Sequence, residues 1–185
     1  MERRDILKAS ALFLGYAVTG GTALAVLNGC KADTSATWNP DTFTTDQSDL
    51  LAELAERIIP TTDTPGAKDA LVHRYIDEAV KSNYSEEEKT SFMEGLQRIE
   101  SMSDEKYGKS FVKISDEEKD TILQELADES KTAEGSHIFT TLKNLVVTGY
   151  FTSEVGAKQA LIFDPVPGPY KGCIDFSEVK GVYAL

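Results

Sequence analysis

Histidine and cysteine are scarce, two of each in 185 residues, and that scarcity removes most catalytic chemistry. His73 and His137 each stand alone in a helical stretch, with no H-E-x-x-H or C-x-x-C-H spacing to gather a metal or attach a haem. Cys173 has only Lys171 close by in sequence, and no histidine, to activate it as a nucleophile. There is no G-x-G-x-x-G and no P-loop, so the chain lacks the usual cradles for a dinucleotide or a phosphate chain. Strand-like alternation of convincing length is missing, as is any internal repeat, which argues against a sheet or a solenoid. Positive charge is also in deficit: 19 Lys and Arg face 31 Asp and Glu, a formal charge of −12. Such a surface repels phosphate backbones and anionic lipid, which excludes nucleic acid as a partner class.

What is present starts at the N-terminus. Arg3 and Arg4, followed by Leu7 and Lys8, precede a mostly apolar run from Ala9 to Leu27 that ends in Leu27-Asn28-Gly29-Cys30. Paired arginines before an apolar run are the address of the bacterial twin-arginine export route. A small residue before a cysteine at the end of that run resembles a lipoprotein processing site. The expectation is a leader over 1–29, cleaved so that Cys30 is acylated and tethers a protein exported already folded. An uncleaved anchor is the alternative, since Ala9–Leu27 approaches the roughly 20 residues of a membrane span; Gly15, Gly20 and Gly21 make the run less apolar than most spans. Either way the domain is held at a membrane surface. The leader carries three basic and two acidic residues, so its removal takes the remaining 156 residues to −13. That length suits one domain, which needs no disulfide or metal to fold. With its sulfur acylated, Cys30 cannot pair with Cys173. Cys173 is then either buried or bonded to another chain, and burial is the expectation.

Residues 30–44 read as a lipidated start and tether, and 45–185 as one all-α domain of five or six helices. The first helix, capped by Thr45 or Asp46, turns Leu50, Leu51, Leu54, Ala55, Ile58 and Ile59 inward and stops at Pro60. The spacing predicts a second helix over Lys68–Val80 with Leu71, Val72, Tyr75, Ile76 and Ala79 inward. Capping boxes Ser85/Glu88 and Ser115/Glu118 predict the third and fourth, the third with Phe92, Leu96 and Ile99 inward and the fourth with Ile122, Leu123 and Leu126. The acidic triplets Glu86–Glu88 and Asp116–Glu118 then sit at positive helix ends and are not metal clusters. Ser136 starts a fifth helix carrying Leu142, Val146 and Tyr150 inward, and Ser153 caps a short sixth running to Leu161. Pro165, Pro167 and Pro169 exclude helix beyond that, leaving an irregular Pro/Gly-rich segment expected to wrap over the bundle.

Three blocks carry a family resemblance: Ile58-Ile59-Pro60-Thr61-Thr62-Asp63-Thr64-Pro65-Gly66-Ala67, Thr148-Gly149-Tyr150-Phe151-Thr152-Ser153-Glu154-Val155-Gly156-Ala157, and Asp164-Pro165-Val166-Pro167-Gly168-Pro169-Tyr170-Lys171-Gly172-Cys173. Together they resemble the gluconate 2-dehydrogenase subunit 3 family, over roughly Leu50 to Cys173. The resemblance implies a non-catalytic small subunit without a cofactor of its own. Its partner would be a large dehydrogenase subunit of the glucose–methanol–choline type, which holds FAD and oxidises a sugar, sugar acid or other alcohol. A cytochrome c subunit bearing haem c often receives the electrons. The small subunit would escort the folded flavoprotein through the twin-arginine export machinery. Its candidate contact residues are Tyr150, Phe151, Glu154, Pro165, Pro167, Tyr170 and Cys173; stiff, aromatic-rich segments dock at low entropic cost. Two alternatives stay open: that these residues close the helical core internally, and that the chain is a stand-alone envelope lipoprotein that binds a ligand or acts as a scaffold.

Overall fold

Three of the helices begin on the same reciprocal hydrogen bond. In the computed structural model, which describes residues 38–166, 168–169, 172–179 and 181–184, α1 spans Thr45–Ile58, α2 Val72–Asn83, α3 Glu86–Tyr107, α4 Asp116–Ser130 and α5 Ile138–Thr152. Ser85 and Glu88 close a capping box at the start of α3, and Ser115 and Glu118 close another on α4. Hydrogen bonds accepted from Ser85 hold the Glu88 carboxyl below its usual range. The acidic triplets therefore serve helix starts, as their spacing predicts. The cap of α1 is Thr44 rather than Thr45 or Asp46, because only Thr44 has a reciprocating partner three residues on, Gln47.

The all-α reading holds: among the described residues there is no strand, only an isolated parallel bridge between Ile162 and Tyr183. α5 packs against α1, α2, α3 and α4 and forms the axis of the bundle. Leu142, Val146 and Tyr150 of α5 meet Leu51, Leu54 and Ala55 of α1, Val72, Ile76 and Val80 of α2, Phe92, Leu96 and Ile99 of α3, and Ile122 and Leu126 of α4 in one core. A 3₁₀ turn, Phe111–Lys113, plugs Phe111 into the same core between α1 and α3.

The second helix starts four residues later than expected. Lys68–Leu71 form turns that end on Leu71 at φ 55°, because the amides of Ala67 and Val72 bond back to Ile59 and Ala67. This re-aims the helix. Val72, Ile76, Ala79 and Val80 are buried, whereas Leu71 and Tyr75, expected inward, are exposed. Asp77 is buried on the inner face of α2, only 4% exposed. Its carboxylate accepts the backbone N–H groups of Asp41, Thr42 and Phe43 at 2.9–3.2 Å. Asp41–Phe43, read as the end of the tether, thus belong to the folded unit, which begins at Pro40.

A second charged junction ties α1 to α4. Lys119, nearly enclosed, donates to Glu53 at 3.0 Å, and Lys68 donates to the other carboxylate oxygen. Burial opposes ionisation of Glu53, but the two lysines outweigh it and hold its carboxyl below the usual range. The expected short sixth helix is present over residues 154–160, its last part, Gly156–Ala160, wound as a π-helix, and Ser153 caps it by accepting the Gly156 amide. No helix among the described residues is long and apolar enough to cross a membrane.

Candidate partner-docking surface

Two of the sequence blocks meet in space and turn out to build a joint. Tyr150, near the end of α5, is 2% exposed and drives its ring into the core; its hydroxyl donates to the Pro65 carbonyl at 2.7 Å. The turn it grips is stiffened from within. Glu56 accepts the Thr61 amide and hydroxyl at 2.8 Å and the Lys68 amide at 3.0 Å, while Thr61 Oγ1 accepts the Gly66 amide. Below Tyr150 the chain doubles back so closely that a Cβ on Gly156 would lie 2.0 Å from the Tyr150 carbonyl oxygen. Gly149 lies inside α5, where Val72 and Tyr75 of α2 occupy the space its missing side chain leaves.

Tyr150 is therefore a core residue, a correction to its assignment as a partner contact. Its amphipathic ring is used to fasten α5 to the exit of α1. Tyr150→Phe should remove one largely enclosed hydrogen bond, at a cost of about 1 kcal/mol. Thermal unfolding would show that loss without a change of secondary structure, and an unchanged midpoint would mean the hydroxyl is indifferent.

The remaining candidates fall into two groups. Phe151 is part-exposed on α5, one turn from the likewise exposed Val147, and its ring stands edge-on to Tyr150 with centroids 5.2 Å apart. Glu154 is exposed, and a hydrogen bond from Lys158 at 2.6 Å keeps its carboxyl below the usual range. Pro165 and Cys173 are exposed, so Cys173 is not the buried thiol expected. Arg3, Arg4, Leu7, Lys8, Cys30, Pro167 and Tyr170 lie outside the described residues.

Among its described residues, the C-terminal segment leaves its large apolar side chains exposed rather than seating them in the core. One 3₁₀ turn, Phe176–Glu178, interrupts it. The Ile162 amide donates to Val182 at 2.8 Å and the Ala184 amide donates to Ile162 at 2.9 Å. Gly181, at φ 153°, lies against the Ile162 side chain. The result is a closed loop that carries Phe163, Val166, Ile174, Phe176, Val179, Val182 and Tyr183 exposed. Sequence reasoning picked prolines and tyrosines here and passed over these aliphatic and phenyl side chains. The available signal was an apolar content near that of the helices, without any helical period.

Chemistry of another kind has little to stand on. Among the described residues no group of three or more His, Cys, Asp or Glu is placed to share a metal ion. A groove of about 600 Å³ between α1, α4 and α5, lined by Arg57, Ile58, Phe139 and Lys143 among others, is broad and open. His137 does not sit within a helix; it caps α5, its Nδ1 accepting the Phe139 amide at 3.2 Å. His73 is half-buried in α2, and burial together with Arg74 pushes its imidazole below the ordinary value against the pull of Asp49.

Residues 45–168 match the family described as Gluconate 2-dehydrogenase subunit 3. The chain belongs to that family. Comparison with curated proteins and with solved structures gives no significant match. For a gluconate 2-dehydrogenase subunit 3 chain, the division of labour between the blocks is informative. The first two lie inside the matched region and fasten the bundle, while the closed loop runs largely beyond Gly168, where the match ends.

Proposed function

We propose that this chain is the non-catalytic small subunit of an exported, FAD-dependent dehydrogenase of the glucose–methanol–choline type. In this reading it accompanies the folded flavoprotein through twin-arginine export, supports its assembly, and holds it at the membrane through an acyl chain on Cys30. The observation that carries the reading is the match over 45–168 to subunit 3 of a dehydrogenase. Two features of the sequence support it. The leader carries the address for folded cargo, yet the chain has no dinucleotide fingerprint or haem-attachment motif that would itself require folding before export. The flavin, and any haem c, then belong to other subunits, and the sugar, sugar acid or alcohol is chosen by the flavoprotein.

Capture of the tagged full-length chain from detergent-solubilised membranes of its host should retain a large flavoprotein, seen by flavin absorbance. A clean single chain without flavin would reject the reading. The same preparation tests Cys173. Exposed in an oxidising compartment, it is left with the alternative of bonding to another chain, so electrophoresis without reductant should show a combined band that Cys173→Ala abolishes.

A further inference from the structure

We infer that the groove between α1, α4 and α5 receives a segment of the dehydrogenase subunit that carries one carboxylate among apolar side chains, with Arg57 and Lys143 taking the carboxylate. The inference rests on the accessory-subunit reading above and adds where the contact lies and which chemistry makes it.

Helical spacing lays the groove out. Leu123, Gln124 and Ala127 recur on one face of α4, Phe139 and Lys143 lie one turn apart on α5, and Arg57 and Ile58 join them from the last turn of α1. Ile58, Ala127 and Phe139 are only half-buried, so the chain leaves part of this apolar lining uncovered. At about 600 Å³ the groove is long enough for a peptide segment. It is also broad and open, whereas a small-molecule pocket encloses most of its ligand. An apolar groove between helices is a common seat for an amphipathic segment.

Two cations in the lining have bonding capacity to spare. Arg57 touches Asp116 at 3.3 Å and Asp120 at 3.7 Å but makes no hydrogen bond among the described residues, and its Nε is buried without an acceptor. Lys143 is exposed and has no ion pair among the described residues, in a chain where acidic residues outnumber basic ones 31 to 19. A planar guanidinium with unspent donors is suited to take a carboxylate in two bonds.

The full charge count selects the occupant. The lining holds Arg57, Lys131 and Lys143 against Asp120. Asp116 and Asp128, which pair with Arg57 and Lys131, bring the neighbourhood to neutrality. All three aspartates are well exposed, so a bilayer rich in anionic lipid meets them together with the cations and gains little. A second copy related by a two-fold would set Lys131 and Lys143 against themselves, in a chain already at −12. A single carboxylate on an apolar segment of another protein reaches the two cations and covers the apolar lining at once.

The test uses the full-length chain expressed in its host and the complex captured from solubilised membranes. Lys143→Glu should lower retained flavoprotein at least about tenfold, and Lys143→Arg should keep it. Ala127→Trp, which fills the groove, should act like Lys143→Glu; where it lowers the melting temperature, the exposed Lys143 carries the test. Lys109→Glu makes the same charge change on an exposed lysine outside the groove and should retain flavoprotein as the wild type does. A photoactivatable phenylalanine analogue at Gln124 should form its adduct with a flavoprotein peptide that contains Asp or Glu, and changing that acid to Lys should restore retention by Lys143→Glu. Wild-type retention by Lys143→Glu, or an equal loss in Lys109→Glu, would overturn the assignment while the accessory reading stands. Adducts between two copies, with phosphatidylglycerol–phosphatidylethanolamine lipid, or with a flavoprotein peptide lacking an acid would overturn it as well. Failure of the wild-type chain to capture any flavoprotein would overturn both.

Discussion

Arg3→Lys combined with Arg4→Lys will leave this subunit and its flavoprotein in the cytoplasm, with the envelope fraction of both falling by an order of magnitude or more. The substitution keeps the charge of the leader intact, and that makes it decisive. An ordinary secretory leader needs only a positive start before its apolar run, which two lysines supply equally well. A receptor that reads paired arginines uses the planar guanidinium fork, whose donors a lysine ammonium cannot reproduce. Retained export would therefore identify Arg3 and Arg4 as mere charge, and the folded-cargo argument would lose its basis. The flavoprotein reports on a separate point. If it lacks a leader of its own, its stranding in the double variant follows from riding on this chain. Unchanged location of the flavoprotein would reject the escort role and leave acylation of Cys30 untouched. Fractionation with immunodetection of both subunits, and flavin content of the cytoplasmic pool, give the readout.

What could be read from the sequence and what could not divides along the range of the interactions. Ser85/Glu88 and Ser115/Glu118 were legible because a capping box is contained in four residues. Thr44/Gln47 is the same device, hidden among three consecutive residues that can all cap. The inward stripes of α3 and α4 were legible because no competing signal lies in them. The stripe of α2 was not, because its start is set by Ala67 and Val72 bonding back across the Pro65-Gly66 turn, a contact that no helical period reports. Of the candidate contact residues, Tyr150 carried the right chemistry in the wrong place: an aromatic ring with a polar tip reads equally well as interface or as core. Only the Pro65 carbonyl, 85 positions earlier, decides between them. The C-terminal segment was legible as irregular and Pro/Gly-rich, and the bridge at Ile162 was not, since it depends on residues some twenty positions on.

Asp77 is the strongest case of such a long-range role, and its removal should be strongly destabilising. An aspartate in mid-helix ordinarily marks the solvent face. Here the helix turns it inward, and its two oxygens gather three consecutive backbone amides from a segment that has no helix or strand to satisfy them. Asp77→Ala leaves those amides without acceptors, and that of Phe43 lies in a buried setting where water does not replace the lost bond. Two of the three are only part-buried and regain water, so the net loss should be about 2–4 kcal/mol rather than three full buried bonds. For a domain of this size that is roughly 5–15 °C in melting temperature. Asp77→Asn keeps one accepting oxygen and should melt between the wild type and Asp77→Ala. The consequence reaches beyond stability, because Asp41–Phe43 are where the chain arriving from Cys30 enters the fold. With the clamp gone, Phe43 loses the anchor that seats it 5.8 Å from the Phe92 ring, and a protease should cut the wild type outside Pro40 but the variant inside it. A variant that melts with the wild type and is cut at the same place would show that Phe43 alone seats the segment and that the buried carboxylate is dispensable.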